Sequence, residues 1–191
     1  MKKIYKTISI IVAVLILLIV LFKVLNIGNV VLSKIYPKKY QEYVEKYAKE
    51  YNVDPLLIFS IIKAESNFDK DAKSSSKAKG LMQIMDSTAI EIANKMDEPI
   101  VDETLFDPEK NIMIGTKYYS ELLNLYNGNM LLALTAYNAG IGNVTNWIKS
   151  GIIDEYGSNI ENIPYKETNM YVRKIIRNYK IYQQLENNTK E

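Results

Sequence analysis

The strongest hydrophobic pattern in the chain is an uncharged, almost wholly apolar run from Ile8 to Phe22, preceded by Lys2, Lys3 and Lys6 and closed by Lys23. Apolar character continues weakly through Val24, Leu25 and Ile27. A membrane-spanning helix needs about 20 mostly apolar residues, and a signal-peptide core has about 7–15, so the run falls between the two. No small-residue cleavage pattern follows it. Residues 1–25 therefore read as cytoplasmic lysines plus an uncleaved signal anchor, with a cleaved signal peptide as the alternative. The flanking lysines argue against a buried core helix. By the positive-inside tendency they stay in the cytoplasm and the rest of the chain is exported. Residues 26–37 read as a short stem ending at Pro37, and 38–191 as one globular domain.

From Lys38 the period becomes helical. Tyr40, Val44, Tyr47 and Tyr51 recur at spacings of four, three and four, with Glu42, Lys46 and Lys49 on the other side. This tyrosine stripe reads as core rather than as a sugar-stacking surface. Asp54-Pro55 is an N-cap followed by proline at the first helical position and predicts a helix to about Asn67. A polar loop rich in Ser and Lys follows from Asp69 to Lys79, then Gly80 opens the short segment Leu81 to Met85. Thr88-x-x-Glu91 has the form of a capping box for a helix ending near Met96. Asp107-Pro108 starts another helix, ended by Gly128, and Met130 to Asn138 forms the next, closed by Ala139-Gly140. A last long helix runs from about Glu167 to Leu185, with Val172, Ile175, Ile176, Tyr179 and Tyr182 at helical spacing. No stretch alternates with a period of two, and no repeat occurs. The predicted fold class is all-α, with loops long enough to carry function.

Composition narrows the chemistry more than the fold. At 191 residues, 48% of them apolar, the chain is long enough for one domain with a real core. Its formal net charge is +2, without a basic run interleaved with aromatics beyond the N-terminus, which argues against nucleic acid as the main partner. It has no histidine and no cysteine. That excludes Ser–His–Asp and Cys–His nucleophilic chemistry, His- or Cys-built zinc sites and disulfide scaffolds. Proton transfer near neutral pH is then left mostly to Asp, Glu, Tyr or Lys. A carboxylate enzyme fits this set of residues, and so does a binding module.

Glu65 is the residue on which the two readings divide. It lies seven residues after Ile58, four after Ile61 and three after Ile62, so a helix places it on their apolar face. Burial and the negative end of the helix dipole both disfavour ionisation and raise the pKa of such a carboxyl. Periodicity alone leaves open whether Glu65 is a solvated rim position or an acid held in apolar surroundings.

Four motifs follow in order: Glu65-Ser66, then Gly80-Leu81-Met82-Gln83-Ile84-Met85, then Ala136-Tyr137-Asn138-Ala139-Gly140, then Ile163-Pro164-Tyr165-x-Glu167-Thr168-x-x-Tyr171-Val172. Together they resemble the catalytic domain of the soluble-type (family 1) lytic transglycosylases, over about Tyr40 to Leu185. The resemblance implies a lysozyme-like all-α fold and cleavage of the MurNAc–GlcNAc bond of bacterial peptidoglycan without water, leaving 1,6-anhydroMurNAc ends. It implies Glu65 as the sole catalytic acid and base, no cofactor and no metal. Ser74, Gln83, Met85, Tyr137, Asn138 and Glu167 match cleft positions of the family and are expected to bind substrate. The Tyr137 hydroxyl is expected to reach the acid or the substrate, and Glu167 to position substrate. Gly80 and Gly140 read as backbone-conformation residues, Met82 as core, and Ser66 as a support of the helix end.

Three positions depart from the family pattern. Lys77 stands where glycine is common, Asp86 where proline follows the Gly-Leu-Met-Gln segment, and Asn169 where arginine is common. The expected partners are peptidoglycan strands and, through the N-terminal segment, the membrane, with the domain extracytoplasmic. The rival readings are a hydrolase resembling goose-type lysozyme, which needs a second carboxylate to hold water, and a non-catalytic wall-binding module.

Overall fold

The structure is a computed structural model that describes residues 2–24, 27–97 and 102–190. The chain forms two compact units, one running from Lys38 to Gln183, the other holding the residues up to Pro37 together with those from Gln184 onward. In the smaller unit, α1 (Lys2–Val24) carries a stretch, Lys3–Lys23, long and apolar enough to cross a membrane, with none of it buried in the protein. A helix apolar on every side and uncovered by protein has the composition of a bilayer segment. Within the stem, α2 spans Ile27–Ile35.

The larger unit is all-α. Its helices are α3 (Gln41–Glu50), α4 (Pro55–Glu65), α5 (Asp86–Met96), α6 (Pro108–Leu125), α7 (Met130–Ala139), α8 (Ile141–Lys149) and most of α9 (Lys166–Lys190). Short 3-10 turns occupy Asp102–Phe106 and Ile160–Asn162. Among the described residues there is no strand, only the isolated bridges Lys73–Lys79 and Lys79–Ile84. Both predicted Asp-Pro starts cap their helices: Asp54 accepts from the Leu56 N–H at 2.8 Å and Asp107 from the Lys110 N–H at 2.9 Å.

Helix α6 is the centre of packing, in contact with α3, α5 and α7. It buries Ile112, Ile114, Tyr119 and Leu122. Helix α4 is buried over a continuous run from Leu57 to Ile62, and Phe59 lies 6.5 Å from the ring of Phe68 and 5.8 Å from that of Tyr182. A helix clamped on all sides is a stiff support for whatever its last residue carries. Val44 and Tyr47 of the tyrosine stripe are buried as core, whereas Tyr40 caps α3 from a left-handed conformation, φ 59°.

Two local expectations fail. The Thr88–Glu91 capping box is not used, because α5 starts earlier: Met85 is the N-cap and Asp86 the first helical residue. There Asp86 sits at the positive end of the helix dipole and 2.7 Å from the buried Lys79 ammonium. Helix α8 was not foreseen after Gly140. Asn, Thr and Gly dilute its propensity, and burial of Val144 and Trp147 supplies the stability instead.

Candidate active site

Glu65 is the last residue of α4. The helix stops there because Asn67 and Phe68 both take positive φ, 53° and 66°, and Phe68 turns into the core. Two contacts hold the end in place. The Ser66 hydroxyl donates to the Leu81 carbonyl at 2.8 Å, tying α4 to the Gly80 turn. The Lys174 ammonium donates to the Ala64 carbonyl at 2.6 Å, one of the groups a helix C-terminus leaves unpaired.

The Gly80 turn has little freedom. Gly80 has φ +75°, and a Cβ there would lie 2.2 Å from the Leu105 carbonyl oxygen and 2.3 Å from Asn111 Nδ2. Asn111, fully buried on α6, accepts from the Met82 N–H at 2.8 Å and donates to the carbonyls of Lys79 and Leu105 at 3.0 and 2.8 Å. Met82 is buried beside Gly115, where a Cβ would lie 2.5 Å from its sulfur. The turn is thus pinned to the core by Asn111, a residue the motifs did not flag.

A cleft of about 440 Å³ opens beside this turn, within the usual range for small-molecule and cofactor sites. Glu65, Ser74, Gln83, Met85, Tyr137, Asn138 and Glu167 all line it, together with Ser75, Ser76, Ala78, Ala139, Tyr165 and Thr168. The seven residues expected from the sequence to act on or bind substrate therefore share one cleft. The Ser74 hydroxyl accepts from the Ala78 N–H at 3.0 Å and closes the serine loop. Gln83 donates its amide to the carbonyls of Ala72 and Gly80 at 3.1 and 2.9 Å. Asn138 accepts from the buried Thr168 hydroxyl at 2.8 Å, which joins α7 to α9. Met85 is half exposed.

Of the two reaches expected for the Tyr137 hydroxyl, to the acid or to the substrate, the bond to the acid is not made. Its hydroxyl donates to the Met82 carbonyl at 2.8 Å, and its ring packs on Tyr118 and Tyr119 at 5.3 and 6.2 Å. The tyrosine that meets Glu65 is Tyr171, whose buried hydroxyl donates to Glu65 Oε1 at 2.7 Å. The signal for Tyr171 was present: it stands one helical turn after Glu167, on the apolar side of α9.

Glu65 faces the cleft with partial exposure, yet enclosure by protein pushes its carboxyl up to about 7. The Tyr171 hydrogen bond and the nearby Lys174 charge act against that rise, and burial outweighs both. A carboxyl raised this far can act as acid or base near neutral pH. Burial and the neighbouring Glu65 charge raise the Tyr171 hydroxyl well above its ordinary range, so it stays a neutral donor. Among the described residues no group of His, Cys, Asp or Glu is arranged to hold a metal.

The departures at 77 and 86 are also explained. Lys77 has φ +68°, the left-handed conformation that glycine adopts without strain, so the loop keeps a glycine-type backbone with lysine in it. Asp86 partners the buried Lys79. The Asn169 amide donates to the carbonyls of Ile160 and Glu161 at 2.9 and 3.2 Å, holding the turn before α9.

The family model of the transglycosylase SLT domain matches residues 42–155. The chain is similar to the soluble lytic murein transglycosylase of Escherichia coli, 32% identical over 149 residues, which is 76% of this chain and 23% of that protein. It is 40% identical over 117 residues to the membrane-bound lytic murein transglycosylase C of Yersinia pestis, covering 56% of this chain and 32% of the relative. Among solved structures, an inactive variant of the lytic transglycosylase Slt from Pseudomonas aeruginosa superposes with a TM-score of 0.74 at 36% identity, covering 82% of this chain and 26% of that one. The chain thus spans about a quarter of the length of the first curated relatives it matches.

Proposed function

The chain belongs to the transglycosylase SLT domain family, and from that premise we propose that it cleaves the glycan strands of peptidoglycan as a lytic transglycosylase. The observation that carries the proposal is Glu65, a carboxyl raised to about 7 at the clamped end of α4, in a cleft lined by the polar residues the motifs named.

In the proposed reaction Glu65, protonated, gives its proton to the oxygen between MurNAc and GlcNAc as the bond from that oxygen to C1 breaks. The acetamido carbonyl of the same MurNAc stabilises the positive charge developing at C1, in the place a second protein carboxylate takes in other glycosidases. Glu65, now ionised, takes the proton from the C6 hydroxyl, whose oxygen bonds to C1. The ring closes as a 1,6-anhydro sugar, no water is consumed, and Glu65 ends protonated. One group that serves as acid and then as base works best with a pKa near the working pH. Tyr171 holds the carboxyl in one orientation through both steps. Ser74, Gln83, Met85, Tyr137, Asn138 and Glu167 are assigned to substrate binding, Tyr137 through its ring and its anchor on the Met82 carbonyl.

We assign catalysis to 38–191, with 26–37 as a stem and 1–25 as the anchor. The apolar α1 and the membrane-bound relatives support membrane association. The lysines at the N-terminus favour a single pass with the catalytic domain outside. Glu65→Gln tests the assignment: the variant is expected to lose sacculus solubilisation while still binding glycan strands, and cleavage at the wild-type rate would remove Glu65 from the mechanism.

A further inference from the structure

Tyr165 lines the cleft that holds Glu65 and leaves 49% of its surface exposed. Its ring nonetheless has a partner that orients it. The ring stands perpendicular to that of Trp147, at 89° with centroids 5.0 Å apart, and Trp147 is itself buried on α8. An edge-to-face pair of this kind sets the plane of a ring while leaving surface free for another partner. The backbone is held as well, because Pro164 precedes Tyr165 and the Tyr165 carbonyl accepts the Asn169 N–H at 2.9 Å. A single exposed aromatic is ordinary on a protein surface. One that packs edge-on against a buried tryptophan on the wall of a polar cleft is a prepared surface.

A pyranose ring has hydroxyl and amide groups around its edge and C–H groups on its faces. Ser74, Gln83, Asn138 and Glu167 meet the needs of the edge. The faces need apolar area: the Tyr137 ring supplies some but is packed on Tyr118 and Tyr119, and Met85 and Tyr165 are the exposed large side chains in the lining. We propose that Tyr165 is a stacking platform for one N-acetylated sugar ring of the bound strand, and that Trp147 is the positioning residue that sets its plane. The inference rests on reading the cleft as a glycan site and adds a binding residue to it.

Trp147 is the chain's single tryptophan, so its emission reports on the platform directly. The test titrates the full chain in detergent, carrying Glu65→Gln to prevent turnover, with a soluble oligomer of N-acetylglucosamine, and affinity is read independently by calorimetry. The expected result is a saturable change in Trp147 emission. Adding Tyr165→Leu, which keeps apolar bulk without a ring face, abolishes that change and weakens binding about tenfold, whereas Tyr165→Phe retains both. Unchanged affinity in Tyr165→Leu overturns the platform. So does a Tyr165→Phe variant as weak as Leu, which would assign the effect to the hydroxyl, and so does failure of the Glu65→Gln chain to bind the oligomer. The reaction is judged separately, by whether the wild type cleaves sacculi, so that failure of the activity and failure of the platform are distinguishable.

Discussion

If enclosure of Glu65 raises its pKa, the folded protein carries a stability penalty that appears only when this carboxyl ionises. The gap between the ordinary 4.5 and about 7 corresponds to about 3 kcal/mol, at about 1.4 kcal/mol for each tenfold change in acidity. Glu65 is partly open to the cleft, and water there screens part of the cost, so the expected penalty is about 1–3 kcal/mol. Its sign follows from the direction of the shift. Below pH 4.5 the folded and unfolded chains both hold the proton and the penalty vanishes. As the pH rises towards 7 the unfolded chain ionises first, and wild-type stability falls until the folded carboxyl ionises too. Glu65→Gln removes the titration while keeping an Oε1 that accepts from Tyr171. The variant is therefore expected to match the wild type near pH 4 and to exceed it by about 1–3 kcal/mol at pH 8. For a domain of this size that is a rise in Tm of about 2–4 °C per kcal/mol. Thermal unfolding in detergent at several pH values, followed by Trp147 emission, reads the difference. A gap that stays constant with pH, or a wild type more stable than the variant at pH 8, would refute the reasoning.

Three further outcomes are expected. Tyr171→Phe deletes a hydrogen bond that favours the ionised carboxylate, so the alkaline limb of the pH–rate profile should move up by about one pH unit while the maximal rate falls; an unmoved limb contradicts the Glu65–Tyr171 contact. Lys77→Gly relieves a left-handed lysine and should stabilise the domain by about 0.5–1 kcal/mol in denaturant titration, whereas Lys77→Ala should give no such gain. Gly80→Ala places a Cβ 2.2 Å from the Leu105 carbonyl oxygen at positive φ; it should cost more than about 3 kcal/mol in the same titration, with loss of turnover as the turn beside Glu65 shifts.

Much of this architecture was legible because it depends on local signals. Both Asp-Pro starts, the Gly128 stop and the apolar face of the last helix follow from capping and periodicity, which neighbours in space do not alter. Helix α8 was not legible for the converse reason, since its stability comes from burying Val144 and Trp147 against distant residues. The start of α5 was misread because an ion pair between Lys79 and Asp86, seven residues apart, fixes it and the capping box is left idle. At the site, the ordered motifs listed residues that line one cleft, but they could not say which hydroxyl faces which oxygen. Tyr137 and Tyr171 are both motif tyrosines, and only the packing of α9 beside the end of α4 gives Glu65 to Tyr171. Lys77 shows the opposite case: lysine stands where glycine is common, yet the backbone holds φ +68° and the lysine bears the strain.

In the proposed reaction one carboxyl, Glu65, cuts the glycan strand and closes the sugar ring without water. Mass spectrometry of the muropeptides released from sacculi by the wild-type chain distinguishes ring closure from hydrolysis. Every new MurNAc end is expected to carry the 1,6-anhydro mass, with Glu65→Gln releasing none. Ends heavier by one water would mean hydrolysis, and the single-carboxyl account would be wrong.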